Sequence, residues 1–135
     1  MFQNILGNAI KFTRKGKIII SAKVVKTGAA QDKLELQVTV ADEGIGMSEE
    51  EVNNVFSGKL DTRNIESKRL NPYGNGIGLS FCKEICQILE GDIQVKSVLS
   101  EGSKFTFSMR VMPVYTPHSE KSEDYPDSGA TGSQV

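Results

Sequence analysis

Asp42-Glu-Gly-Ile-Gly46 and, beyond a long polar segment, Gly74-Asn-Gly-Ile-Gly-Leu79 are the stretches around which this chain is organised. The first closes a segment whose apolar residues alternate. The second opens a segment whose apolar residues recur at helical spacing. Glycine has no Cβ, so its backbone can come close to a ligand. A helix mouth adds unpaired N–H groups and a partial positive charge, which suit phosphate. The two stretches read as the floor and rim of one nucleotide pocket.

Familiar phosphate motifs do not fit. The G-x-G-x-x-G of dinucleotide folds follows a strand, whereas a polar loop precedes Gly74. A P-loop needs Gly-Lys-Ser/Thr, and Leu79-Ser80 stands here instead. Protein Ser/Thr/Tyr kinases need His-Arg-Asp and Asp-Phe-Gly, and neither is present. Asp42 offers an acceptor-only carboxylate, suited to the exocyclic amino group of adenine. By itself it also reads as an ordinary Asx turn after a strand. Asn8 lies on the polar side of the first helical segment. Its amide oxygen suits a Mg²⁺ ion that already shares phosphate oxygens. Lys11, further along that helix, is within reach of the same phosphates. A solvated helix face accounts for either residue equally well.

Around these stretches the elements run in order. Met1 to about Thr13 has helical spacing, with Phe2, Ile5, Leu6, Ala9 and Ile10 on one face and Gly16 at the exit. Lys17 to Lys26 reads as a strand with Ile18, Ile20, Ala22 and Val24 on one face. Lys33 to Ala41 reads as another, with Leu34, Leu36, Val38 and Val40 inward. Ser48 and Glu51 form a capping-box pattern for a short helix ending near Phe56. Residues 57–75 show no periodicity and are too long for a plain connector, which marks a lid or disorder. Gly76 to Glu90 reads as a helix striped by Leu79, Cys82, Ile85, Cys86 and Leu89, with Gly91 at C′. Asp92 to Leu99 and Ser103 to Met112 read as a hairpin across Ser100-Glu-Gly102. The expected fold is α+β, a two-layer α/β sandwich with a mixed, mostly antiparallel sheet and helices on one face.

Composition sets outer limits. Of 135 residues, the last 23 are far more polar than the rest, so residues 113–135 are expected to be a disordered tail. Residues 1–112 are enough for one domain with a core. A net charge of −1 and pI near 5.9 carry no nucleic-acid footprint. Cys82 and Cys86 read as small core residues in a reducing compartment rather than a disulfide or metal pair. No signal peptide and no bilayer-length apolar run is present.

Taken in order and spacing, Asn4-Ile-Leu-Gly-Asn-Ala-Ile-Lys-Phe-Thr13, Asp42-x-Gly-x-Gly46 and Gly74-x-Gly-x-Gly-Leu79 resemble the catalytic ATP-binding domain of sensor histidine kinases. They match that family's N box and its two glycine boxes. Leu79 to Ile85 and Glu101-Gly-Ser-Lys-Phe-Thr-Phe107 are similar to the family's next helix and last hairpin. The resemblance implies the Bergerat ATP-binding fold of the GHKL superfamily, over residues 1–112. It implies ATP and Mg²⁺ as ligands, with Asn8 on the metal, Asn4 supporting the phosphate region and Lys11 on phosphate. Asp42 would recognise adenine, with Gly44 and Gly46 shaping the floor and Ser103 assisting through water. Gly74, Gly76, Ile77, Gly78 and Leu79 would cradle phosphates, under a lid at about residues 57–75. Hydrolysing relatives carry Glu where Asn4 stands, and that Glu activates water. Asn4 therefore points to phosphoryl transfer onto a protein histidine.

The match has departures. The family's F box reads Phe-x-Pro-Phe, whereas Val55-Phe-Ser-Gly-Lys-Leu60 keeps Phe56 alone. The family has a strand and helical turns before the N box, so the domain is expected to be N-terminally truncated, with a sheet edge open. His118, in a segment without helical pattern, is not expected to be the phosphoacceptor. The implied partners are a dimerisation/phosphoacceptor histidine domain, in cis or in trans, and a response regulator or receiver domain. Neither nucleic acid nor direct membrane contact is expected. The implied location is the cytoplasm, in a parent that is free or membrane-anchored. The alternatives are a degenerate, non-catalytic ATP-binding or interaction module and a GHKL-type ATPase.

Overall fold

A computed structural model describes residues 1–29, 33–58 and 77–113. Gly74, Gly76, the lid beyond residue 58, His118 and the tail from residue 114 therefore lie outside the described residues, as does the side chain of Ile77. The elements run α1 (Phe2–Phe12), β1 (Ile18–Thr27), β2 (Lys33–Asp42), α2 (Glu49–Asn54), α3 (Ile77–Ile88), β3 (Ile93–Val98) and β4 (Gly102–Val111). Among the described residues the strands form one four-stranded sheet in the order β1-β2-β4-β3, and every pairing is antiparallel.

Alternation along β2 and β4 decides which face is covered. Val40, Phe105 and Phe107 point to the same side and are buried with Ile93. Ile5 and Ala9 of α1 close over them, with Leu79, Cys82 and Cys86 of α3 and Val55 after α2. On β2 and β4 the opposite face is mostly polar, and Thr39 and Thr106 share a cross-strand hydroxyl bond there at 3.0 Å. This is the two-layer arrangement the periodicities predict. One strand departs from its pattern. Ile20 and Val24 lie opposite Val40 and Leu36 yet remain 49% and 59% exposed. β1 is an outer strand, and α1 covers β2 rather than β1.

Local chemistry sets the helix ends. Ser48 Oγ accepts from Glu51 N–H and Glu51 Oε2 accepts from Ser48 N–H, the reciprocal pair expected at α2. The end of α3 differs from expectation. Glu90, at φ 53°, takes the left-handed C′ position, and Gly91 comes after it. Gly91 N–H bonds the Cys86 carbonyl at 2.8 Å and Glu90 N–H that of Gln87 at 3.1 Å, a full Schellman pair. Arg110 holds the Glu90 carboxylate. The absence of a side chain at Gly91 has a tertiary reason. A Cβ there would sit 2.0 Å from the Ser108 carbonyl oxygen.

Gly7, in the middle of α1, has nothing within 4 Å of a Cβ. Gly7→Ala should therefore stabilise the chain by about 0.5–1 kcal/mol in urea unfolding. Gly91→Ala should destabilise it by roughly 3 kcal/mol or more, because backbone must move.

Candidate functional site

The inward face of the sheet is apolar until its last row. Val40, Phe105 and Val95 pair across β2, β4 and β3. Two residues on, the row is Asp42, Ser103 and Ser97, in the same register. Strand alternation sends these side chains to the helix-covered side. The sheet thus ends in a short polar ledge beside a hydrophobic core.

Asp42 forms the Asx turn and keeps a second oxygen free of it. Its Oδ1 accepts from Gly44 N–H at 2.9 Å, closing an Asx turn, and from Ser103 N–H at 3.3 Å. Oδ2 has no hydrogen-bond partner among the described residues and is not buried away from solvent. Burial raises the Asp42 carboxyl above its ordinary value of 3.8; the Gly44 and Ser103 N–H groups oppose that rise without cancelling it.

The glycine turn after Asp42 is pressed against its surroundings. Gly46 is buried, at φ 65°, and a Cβ on it would lie 1.9 Å from the Val98 carbonyl oxygen. Ser100 N–H reaches the Ile45 carbonyl at 2.7 Å, and Met47 N–H reaches Ser97 Oγ at 2.8 Å. Gly102 answers from the hairpin side, where a Cβ would lie 1.9 Å from the Asp42 carbonyl oxygen.

Helix α1 joins the other parts. Its Phe12 carbonyl accepts from Ile45 N–H at 3.1 Å, and a Cβ on Gly44 would meet the same oxygen at 2.6 Å. Near its start, Asn4 Nδ2 donates to the Gly78 carbonyl at 3.4 Å, in the first turn of α3. Asn8 lies one turn from Asn4 and one turn from Phe12, about 6 Å along the axis from each. It is half-buried, and its side chain has no hydrogen-bond partner among the described residues. Lys11 is exposed in the last turn. Leu79 is a core residue, so toward the site it has backbone to offer.

Thus Asn4, Asn8, Asp42, Gly44, Gly46, Gly78 and Ser103 lie around α1 and the ledge on one side of the sheet. Phe56 stands edge-on to Phe105, centroids 6.5 Å apart, with Lys83 Nζ 5.7 Å from its ring centroid. The chain after α2 is therefore anchored even without a second Phe. Ser97 was not among the residues singled out by sequence. Its signal is a hydroxyl continuing the inward series Ile93, Val95.

An antiparallel sheet covered by helices, ending in an Asp–Gly turn beside a helix that touches a glycine-rich helix start, defines the class of two-layer ATP-binding domains. A family model described as histidine kinase-, DNA gyrase B- and HSP90-like ATPase matches residues 1–113. The chain belongs to that family. It is 35% identical over 121 residues to the peroxide stress-activated histidine kinase mak2 of Schizosaccharomyces pombe, covering 87% of this chain and 5% of that protein. It is 33% identical over 108 residues to the autoinducer 2 sensor kinase/phosphatase LuxQ of Vibrio vulnificus, covering 80% of this chain and 12% of that one. The chain thus spans a small part of the curated relatives it matches. The catalytic domain of histidine kinase ThkA superposes with TM-score 0.57 at 26% identity, over 79% of this chain and 61% of that one. Full-length ShkA in complex with AMPPNP gives TM-score 0.64 at 23% identity, over 84% and 21%. No helix among the described residues is long and apolar enough to cross a membrane.

The raised Asp42 carboxyl has a sign. Just above pH 3.8 the folded chain keeps a proton that the unfolded chain has released. Stability therefore falls as pH rises through that window. Asp42→Asn retains an oxygen for Gly44 and Ser103 and removes the desolvated charge. Thermal melts at neutral pH should show it at least as stable as the unaltered chain, with the acid-side slope reduced.

Proposed function

We propose that the chain binds Mg·ATP and passes the γ-phosphoryl group to a histidine on a separate dimerisation/phosphoacceptor domain, as part of a two-component phosphorelay. The observation that carries this reading is the double contact of α1. Asn4 meets Gly78 at one end and Phe12 meets Ile45 at the other, so Asn8 lies along α1 between these two contacts.

Asp42 Oδ2 accepts from the adenine amino group, and Ser103 assists through water. Gly44 and Gly46 form the floor without side chains. The backbone of Gly74, Gly76, Ile77, Gly78 and Leu79 cradles phosphates, with the segment at residues 57–75 as lid. Asn8 supplies one neutral oxygen, a donor set that fits Mg²⁺ shared with phosphates and water. The metal, when bound, offsets charge on the phosphate oxygens. Lys11 contacts phosphate at the open side.

Asn4 decides between hydrolysis and transfer. An amide has no site for a proton taken from water, and its Nδ2 is already directed to Gly78. Asn4 thus cannot act as the general base for hydrolysis. A neutral imidazole needs none, because it attacks as a free base once positioned in line. A second reading, a non-catalytic interaction module, is favoured by the missing Pro and second Phe after Phe56.

Fluorescent ATP-analogue binding separates them. The chain should bind with an affinity that rises when Mg²⁺ is added; a metal-independent or absent signal would support the non-catalytic module. Asn8→Ala should abolish the Mg²⁺ increment, and Asp42→Asn should weaken binding by roughly 10- to 100-fold. With radiolabelled ATP the isolated chain should stay unlabelled while a supplied acceptor-histidine domain takes label. Phosphate release lost in Asn8→Ala but untouched in Asn4→Ala would instead mark a hydrolase.

A further inference from the structure

At the β3 end of the polar ledge Ser97 Oγ has three neighbours. Met47 N–H donates to it at 2.8 Å, the Gly102 carbonyl oxygen lies at 2.8 Å, and Ser103 Oγ lies at 2.9 Å. A hydroxyl has one hydrogen and two lone pairs. An amide N–H can only donate and a carbonyl can only accept, so two directions are settled. One lone pair of Ser97 takes Met47 N–H, and its hydrogen goes to Gly102. The remaining lone pair needs a hydrogen, and Ser103 is its source.

Ser103 has then used its single hydrogen. Toward the site it offers lone pairs alone. Asp42, in register beside it, offers Oδ2, also an acceptor. Cross-strand neighbours lie about 5 Å apart, so one ligand edge meets both.

We infer that Ser97 is a positioning residue that fixes the proton of Ser103 and makes the base-recognition floor acceptor-only, so that it selects a 6-amino purine over a 6-oxo purine. The inference rests on the reading of Asp42 as the base-recognition group. The amino group donates to Asp42, and a water bonded to the ring nitrogen donates its other hydrogen to Ser103. A 6-oxo purine turns a carbonyl oxygen toward the carboxylate. With Ser103 locked as an acceptor, no donor on the ledge relieves that repulsion. Without Ser97 the Ser103 hydroxyl is free to rotate and donate, and the penalty on the oxo purine falls.

The test is the ratio of dissociation constants for ATP and inosine triphosphate, measured with Mg²⁺ on the full chain by calorimetry. The unaltered chain should prefer ATP. Ser97→Ala should narrow that preference by roughly tenfold, about 1.4 kcal/mol, partly through tighter binding of the inosine nucleotide. Ser97→Thr, which keeps the hydroxyl, should restore the preference. Ser103→Ala leaves Ser97 its Met47 and Gly102 partners, so it serves even where Ser97→Ala does not fold. It should narrow the preference too, and adding Ser97→Ala to it should change nothing further. If Ser97→Ala weakens both nucleotides by one factor, or Ser103→Ala leaves the ratio unchanged, the inference is overturned and the proposed function stands. If the unaltered chain binds ATP no better than inosine triphosphate, the reading of Asp42 itself is lost.

Discussion

Two backbone approaches hold the site together. The turn at Gly46 passes under the Val98 carbonyl, and Gly102 passes over that of Asp42, each so closely that a Cβ would sit 1.9 Å from an oxygen. Such distances cannot be relieved by a rotamer change, because both partners are main chain. The approach brings Met47 N–H within reach of Ser97 and Ser100 N–H within reach of Ile45. Without it the hairpin between β3 and β4 would stand away from the end of β2. The row Asp42, Ser103, Ser97 would still share a sheet, but its hydroxyls would lose the turn they brace.

The site joins two kinds of support. The part around Asp42 rests on strand ends tied by main-chain bonds and buried glycines. The part around Asn4 is helical, and the bond between Asn4 and Gly78 is long, at 3.4 Å, and exposed. Local opening begins where buried apolar contact is thin and hydrogen bonds meet solvent. The strand-end part is accordingly the firmer half, and α1 spans from one to the other.

Elements whose cause is local were legible in the sequence. Alternation in β2 and β4, the stripe of α3 and the Ser48–Glu51 box each involve neighbours a few residues apart, and the structure has them, save that Leu89 lies past the end of α3 and is exposed. Gly91 shows the limit. A glycine after a helix invites the C′ reading, but Ser108, from another strand, is what excludes its side chain. Glu90 takes the turn instead. In β1 the alternation is real, yet whether Ile20 and Val24 are covered depends on where α1 lies. Asp42 was legible as a turn former, and its Oδ1 closes the Asx turn with Gly44 while Oδ2 is left without a hydrogen-bond partner among the described residues. Ser97 was not: a serine near a strand end looks like any turn residue until the register sets it beside Ser103. That Gly44 and Gly78 both meet α1 is a tertiary fact, since spacing alone does not bring distant segments together.

Cys82 and Cys86 lie fully buried on α3, against Met1, whose Sδ is 3.2 Å from Cys86 Sγ. Burial pushes both thiols up, and the neighbouring Cys82 and Asp92 add to the effect at Cys86. Only the thiolate attacks an alkylating reagent. These sulfurs are therefore silent while the first helix stays seated and become reactive when it lifts. The chain carries its own chemical clock for that separation: the rate at which a maleimide consumes the pair counts how often the two helices part.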